Sequence, residues 1–243
     1  MRKKILMIGN TDNLPGVPVD MSGFYDFFAS PVGGNWCSEE MDILLNPPLH
    51  SLLQKIEAIA NADNDFVITI FSGHGGEAYN GTVLSINGRG EKVMMQTLMN
   101  LAPKQLHIFD CCRKPMPRPI DFSFRKTRGT KRPMFRDPIR RAYEARIRVA
   151  MPQEVFLFAC DEGEAAKDTA DGFYSYSQYL LDAAQTAATD SNSPFVTVSE
   201  AHDLAVSMMR EDDPSTIRHP QIHNRTVPLR RELPFAVDAG VFL

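Results

Sequence analysis

The chain has 243 residues, 43% of them apolar and 23% charged, with a formal net charge of −4 at pH 7. This is ordinary globular usage with enough apolar material for a sizeable core, which excludes disorder throughout. No apolar run approaches the ~18 residues of a membrane helix. Four cysteines are too few for a disulfide scaffold and point to a reducing, cytoplasmic setting.

The basic opening is followed by an apolar stretch too short for a signal peptide, and residues 5–9 read as a first strand ended by Gly-Asn. Asp20 is placed to cap a helix over 20–28, where Met21, Phe24, Tyr25 and Phe28 repeat at helical spacing. Residues 30–35 hold one Pro and two Gly and form a loop, and 39–45 form a short strand. After Pro47-Pro48, the residues Leu49, Leu52, Leu53, Ile56 and Ile59 mark an amphipathic helix. Residues 66–71 are β-branched or aromatic and stop at Gly73, the pattern of a strand buried on both faces. A short strand over 82–86, a helix over 93–101 and buried strands over 106–111 and 155–158 follow. Residues 173–188 are helical, and Thr197 with Glu200 forms a capping box for a helix through Met209. Residues 220–237 are Pro-interrupted and extended. His219 and His223 have helical metal-ligand spacing, but Pro220 between them makes this a loop.

Strands alternating with helices predict an α/β fold with a mostly parallel sheet of about six strands and helices on both faces. In such sheets the chemistry lies beyond the carboxyl ends of the strands. Two ends carry reactive types: Ser72-Gly-His-Gly75 and Asp110-Cys-Cys112. If the two strands are neighbours, His74 faces a thiol, with the imidazole as base for a thiolate nucleophile. Successive strand residues alternate sides, so Asp110 and Cys112 share one and Cys111 takes the other. A carboxylate beside the substrate would favour a cationic side chain. Cys37 and Cys160 read as small buried hydrophobes. A zinc site from His74, Cys111 and Cys112 fits no usual spacing, because adjacent cysteines do not both point at one tetrahedral ion.

Charge is unevenly spread: residues 113–148 carry 13 Lys+Arg and 3 Asp+Glu, while the rest carries 13 and 27. Prolines at 115, 117, 119, 133 and 138 fall in the same stretch, so it reads as an exposed connection to Asp137, with a helix following Pro138. Sparse aromatics there give little support for nucleic-acid binding.

These motifs resemble the caspase-like cysteine peptidases (clan CD), in particular the metacaspase and prokaryotic caspase-homologue branch. Ser72-Gly-His-Gly75 resembles that family's histidine motif, and Asp110-Cys-Cys112 resembles its Asp-x-Cys nucleophile motif. Leu14 to Asp20, Gly33-Gly-Asn-Trp36, Phe158-Ala-Cys160, Gly172-Phe-Tyr-Ser175, His219-Pro-Gln221 and Leu233-Pro-Phe235 resemble further segments. The resemblance implies a single peptidase domain over 1–243, with a large-subunit-like region over 1–112, a basic linker over 113–150 and a small-subunit-like region over 151–243. It implies His74 as general base and acid, Cys112 as nucleophile, and the Gly75 and Cys112 N–H groups as oxyanion hole. It further implies Asp20 and Asp110 as S1 residues selecting Arg or Lys, and activation by a partner or by self-cleavage. Plausible cuts are at Arg125, Lys126, Arg128, Lys131 and Arg132.

The family's usual Asp-x-Cys-His-Ser-Gly is here Asp110-Cys-Cys-Arg-Lys-Pro115, so Arg113 and Lys114 are candidates for groove contacts or a cleavage site. Only Glu77 and Glu91 are acidic between the Ser72-Gly-His-Gly75 and Asp110-Cys-Cys112 motifs, too few for a calcium site, so no cofactor and no calcium dependence are expected. The expected partners are a protein substrate with Arg or Lys at P1 and an activating protein. The chain is expected to act as a cytoplasmic monomer, with neither nucleic acid nor membrane, in prokaryotic defence or cell death. The competing readings are a catalytically silent caspase-like module that binds a partner, and a hydrolase using Cys112 on small acyl substrates.

Overall fold

The structure, a computed structural model, describes residues 1–117, 137–167, 175–190, 193–225 and 231–242. The five basic positions named as cleavage candidates lie outside these. Six strands form the main sheet: β1 (Lys3–Gly9), β2 (Met41–Leu45), β3 (Phe66–Ser72), β7 (Lys104–Asp110), β8 (Gln153–Phe158) and β10 (Gln221–His223). Their order is β10-β8-β7-β3-β1-β2, parallel except for the edge strand β10. The chain turns outward from β1 on both sides, to β2 and to β3. That makes a topological switch beyond the carboxyl ends of β1 and β3.

Helices cover both faces. On one lie α1 (Val17–Ala29), α3 (Pro138–Val149), α4 (Tyr176–Asp190) and α5 (Val198–Asp212). On the other lie α2 (Leu49–Ala60) and a small sheet of β4 (Gly75–Ala78), β5 (Gly81–Ser85) and β6 (Lys92–Met94). A second two-stranded sheet pairs β9 (Phe195–Thr197) with β11 (Pro234–Val237). β3 is buried at every residue, as its apolar run requires. α5 starts on the expected capping box, with Thr197 N–H donating to Glu200 Oε2 (2.7 Å) and Glu200 N–H to Thr197 Oγ1 (3.2 Å).

Two local readings change. The helix expected over 93–101 is a strand and one 3₁₀ turn, Met95–Leu98. Val93 and Met94 pair with Leu84 and Val83 of β5, and Asn100 at φ 58° breaks what remains. A nine-residue helix is marginal alone, and an open strand edge outcompetes it. Cys37 is only partly buried, because its thiol faces the Arg140 guanidinium (Nη1–Sγ 3.2 Å) at the surface of the core.

Candidate active site

β3 ends at Ser72, and Gly73 turns the chain to present His74. A Cβ on Gly73 would fall 2.8 Å from Asn10 Cβ, and its φ is +153°, so glycine is needed here. Asn10 props the facing turn: its Nδ2 donates to Ser85 O (2.8 Å) and its Oδ1 accepts from Asp12 N–H (3.1 Å). That turn sets Asp12 O 2.6 Å from His74 Nε2. A carbonyl only accepts, so Nε2 carries the proton and Nδ1 is the ring's basic nitrogen. Sequence reasoning found His74 and not Asp12, because a backbone carbonyl leaves no signature in residue type.

β7 is the direct neighbour of β3, with Ser72 opposite Asp110. One pocket at these two strand ends is lined by Asp20, Ser72, His74, Asp110 and Cys112. Cys112 is half-buried there, and its Sγ lies 3.9 Å from Ala166 O. Cys111 points the other way, fully buried with Phe71 and Phe109, and burial pushes its thiol well above the ordinary range. The two sulfurs are separated as strand alternation predicts, although β7 itself ends at Asp110. Gly75 presses on the same loop: a Cβ would fall 2.5 Å from Cys111 Sγ and 3.0 Å from Cys112 O.

Asp20 does not cap a helix. α1 begins earlier, at Val17 after Gly16, with Pro18 in its first turn, so Asp20 lies inside the helix on the buried side. It is only 2% exposed and accepts from Ser72 Oγ (2.7 Å), Ser175 Oγ (2.8 Å) and Gln178 Nε2 (3.3 Å). Asp110 Oδ2 accepts from the N–H (2.9 Å) and Oγ (2.8 Å) of Ser177, in the first turn of α4, where the helix dipole favours an anion. Burial, then the charge of Asp110, pushes the Asp20 carboxyl up to about 7 against the pull of its hydroxyl and amide donors. Ser72 and Ser175 stand in the family-like motifs without a role of their own, and Ser177 and Gln178 were not found from sequence, since residues of these types have no distinctive spacing.

Arg113 is neither a groove contact nor an exposed cleavage site. It is 3% exposed, with its guanidinium 4.3 Å over the Phe158 ring. Nε pairs with Glu77 Oε2 (3.1 Å) and Nη2 with Glu162 Oε1 (3.1 Å). Its N–H donates to Glu164 O and its carbonyl accepts from Gly163 N–H, each at 2.9 Å. Arg113 thus ties β4, the Cys112 loop and the loop after β8 together. Glu91, the other acid between the two motifs, accepts from Asn87, Arg89 and Leu49. Among the described residues, no group of three or more His, Cys, Asp or Glu is placed to hold a metal ion.

Caspase-1 from Spodoptera frugiperda has a similar fold, with a TM-score of 0.58 at 13% identity over 92% of this chain and 86% of that one. The family model of the caspase domain matches residues 2–228. The chain belongs to the caspase-domain family. Caspase-domain proteins are cysteine peptidases with protein substrates, and the sheet with its two-sided helical cover is this chain's version of that domain. No curated protein matches by sequence. Among the described residues, no helix is long and apolar enough to cross a membrane.

Proposed function

We propose that this caspase-domain protein is a cysteine endopeptidase that uses Cys112 and His74 to cleave proteins after Arg or Lys. The observation that carries this reading is one pocket lined by a thiol, an imidazole and two buried carboxylates, Asp20 and Asp110. His74, with Nε2–H held by Asp12 O, takes the Cys112 proton at Nδ1. The thiolate attacks the scissile carbonyl carbon, and the oxyanion is received by the N–H groups of Gly75 and Cys112. His74 returns the proton to the leaving amine, a thioester to Cys112 remains, and water activated by His74 hydrolyses it. The P1 cation sits against Asp20 and Asp110, whose removal from water makes a charged partner worth more than at the surface.

In this reading the protein resembles metacaspases in specificity, works as a monomer in the cytoplasm without calcium or another cofactor, and serves prokaryotic defence or cell death. A partner or cleavage within the basic linker, at Arg125, Lys126, Arg128, Lys131 or Arg132, switches it on. The test is turnover of fluorogenic peptides with Arg, Lys or Asp at P1, by wild type and by Cys112→Ala, with and without EDTA. Turnover of Arg and Lys peptides that the variant lacks is expected. A folded, pocket-intact protein that cleaves none of them supports a silent partner-binding module instead. Intact-mass measurement of wild type and Cys112→Ala after incubation reads self-cleavage directly.

A further inference from the structure

Cys160 is a buried nucleophile that the proposed mechanism does not use. Ala159 N–H donates to Phe109 O (3.0 Å), which carries β8 alongside the end of β7 and brings residue 160 level with the Cys111–Cys112 peptide. Cys160 Sγ lies 3.4 Å from Cys111 O, the carbonyl of that peptide, and 3.7 Å from Glu164 O. Cys112 Sγ reaches Ala166 O, two residues further along the same loop. One short loop therefore touches both sulfurs. Cys112 opens to the pocket, whereas Cys160 is 0% exposed. Cys111, on the far side of the strand, is packed against Gly75.

We propose that Cys160 is a resolving thiol for Cys112, so that a hydroperoxide closes the site reversibly through a Cys112–Cys160 disulfide. This rests on Cys112 being the reactive, pocket-facing thiol of the proposed function. The Cys112 thiolate attacks one oxygen of hydrogen peroxide, the O–O bond breaks, and Cys112 sulfenic acid and hydroxide form. Cys160 sulfur then attacks the sulfenic sulfur, the S–O bond breaks, and the thiol proton leaves with the hydroxyl as water. The sum is two thiols and one peroxide giving one disulfide and two waters.

The order of the steps follows from the surroundings. Peroxide meets Cys112 first because only that sulfur lines the pocket. Burial, and then charge on Cys112, hold the Cys160 thiol up near about 12. Conversion of the Cys112 thiolate to a neutral sulfenic acid removes the second of these, so the first step favours the second. Arg113 pulls in the same direction and is fixed in place by Glu77 and Glu162.

The experiment treats the full chain with hydrogen peroxide and follows peptide turnover, intact mass and the cross-linked tryptic peptide. Cys111 and Cys112 share the tryptic peptide 105–113, so the assignment is repeated in Cys111→Ser. Wild type and Cys111→Ser are expected to lose about 2 Da and to link that peptide to the one holding Cys160, with turnover restored by dithiothreitol. Cys160→Ser is expected to be inactivated irreversibly, gaining about 32 Da as a sulfinic acid. If wild type gains oxygen without the cross-link, or links Cys111 in place of Cys112, the proposal is overturned. The first is decided by mass on the unmutated chain and the second by mass on Cys111→Ser, so both hold whether or not Cys160→Ser folds. A protein that forms the cross-link and never cleaves peptides would overturn the peptidase reading alone.

Discussion

Two groups of buried charge lie at opposite ends of the main sheet, and they are balanced differently. At the amino ends of β1 and β2 the signs alternate. Arg140 Nη2 meets Glu40 Oε1 at 2.6 Å and Arg140 Nε meets Glu144 Oε1 at 3.1 Å, while Lys3 Nζ lies 3.5 Å from Glu40 and 3.6 Å from the Trp36 ring centre. Burial opposes charge on Glu40, yet the Arg140 bonds and the Lys3 charge hold its carboxyl below the usual range. At the carboxyl ends of β3 and β7 two carboxylates share a site, and the bonds that hold Asp20 come from serine hydroxyls and an amide. In the first arrangement each carboxylate has a cationic partner, although Lys3 Nζ makes no hydrogen bond among the described residues, and the cluster bolts α3 to β1 and β2. In the second, repulsion and burial together raise Asp20, which is the electrostatic condition for taking in a cation from outside. Compensated burial suits a structural cluster, and like-charge burial suits the binding role proposed for Asp20 and Asp110.

Breaking each cluster should give opposite signatures. The largest effect is expected for Arg140→Ala, which leaves Glu40 and Glu144 buried with a lost partner. The cost is about 3–5 kcal/mol of stability, read from the urea midpoint, with unchanged turnover per folded molecule. Asp20→Asn and Asp110→Asn should behave in reverse. Their urea midpoints stay or rise as like-charge repulsion is relieved, while kcat/KM on Arg peptides falls about 10- to 100-fold, the worth of one bond to a charged group. A midpoint that falls as far as for Arg140→Ala would make the acidic pair structural and remove the contrast.

The pH dependence sharpens the same point. Folding raises the Asp20 carboxyl from the ordinary 3.8 to about 7. The folded chain therefore holds a proton that the unfolded chain has lost, and stability falls as pH rises from about 4 to about 7 and is flat above. Binding of the P1 cation runs the opposite way. On Arg peptides kcat/KM should drop roughly tenfold for each pH unit below about 7 through this group, and Asp20→Asn should flatten that limb. The smallest effect is expected for Lys3→Met. Burial lowers the Lys3 ammonium to about 8, its Nζ makes no hydrogen bond among the described residues and Glu40 keeps Arg140, so thermal unfolding should change far less than for Arg140→Ala.

Much of this was legible in the sequence. The apolar runs of β3 and β7, each stopped by a reactive residue, fixed where to look, because a strand with no polar face must be central. Parity alone separated Cys111 from Cys112 and joined Asp110 to the pocket side. The role of Arg113 was not legible. Its partners Glu77 and Glu162 lie 36 and 49 residues away, and a lone arginine beside a basic stretch reads as part of it. The stretch over 93–101 misled for a related reason: its apolar spacing suits a helix, and only the presence of β5 decides for a strand.

Residue order by itself determined the alternation of strands and helices and the two reactive strand ends, since periodicity and short-range sterics act within a few residues. Tertiary structure decided that β3 and β7 are neighbours, that Asp20 meets Ser72, Ser175 and Gln178, that Asp12 O meets the His74 ring, and that Cys160 Sγ meets the Cys111 carbonyl. Those contacts join positions far apart along the chain. Their geometry depends on how the whole core packs, which no local pattern records.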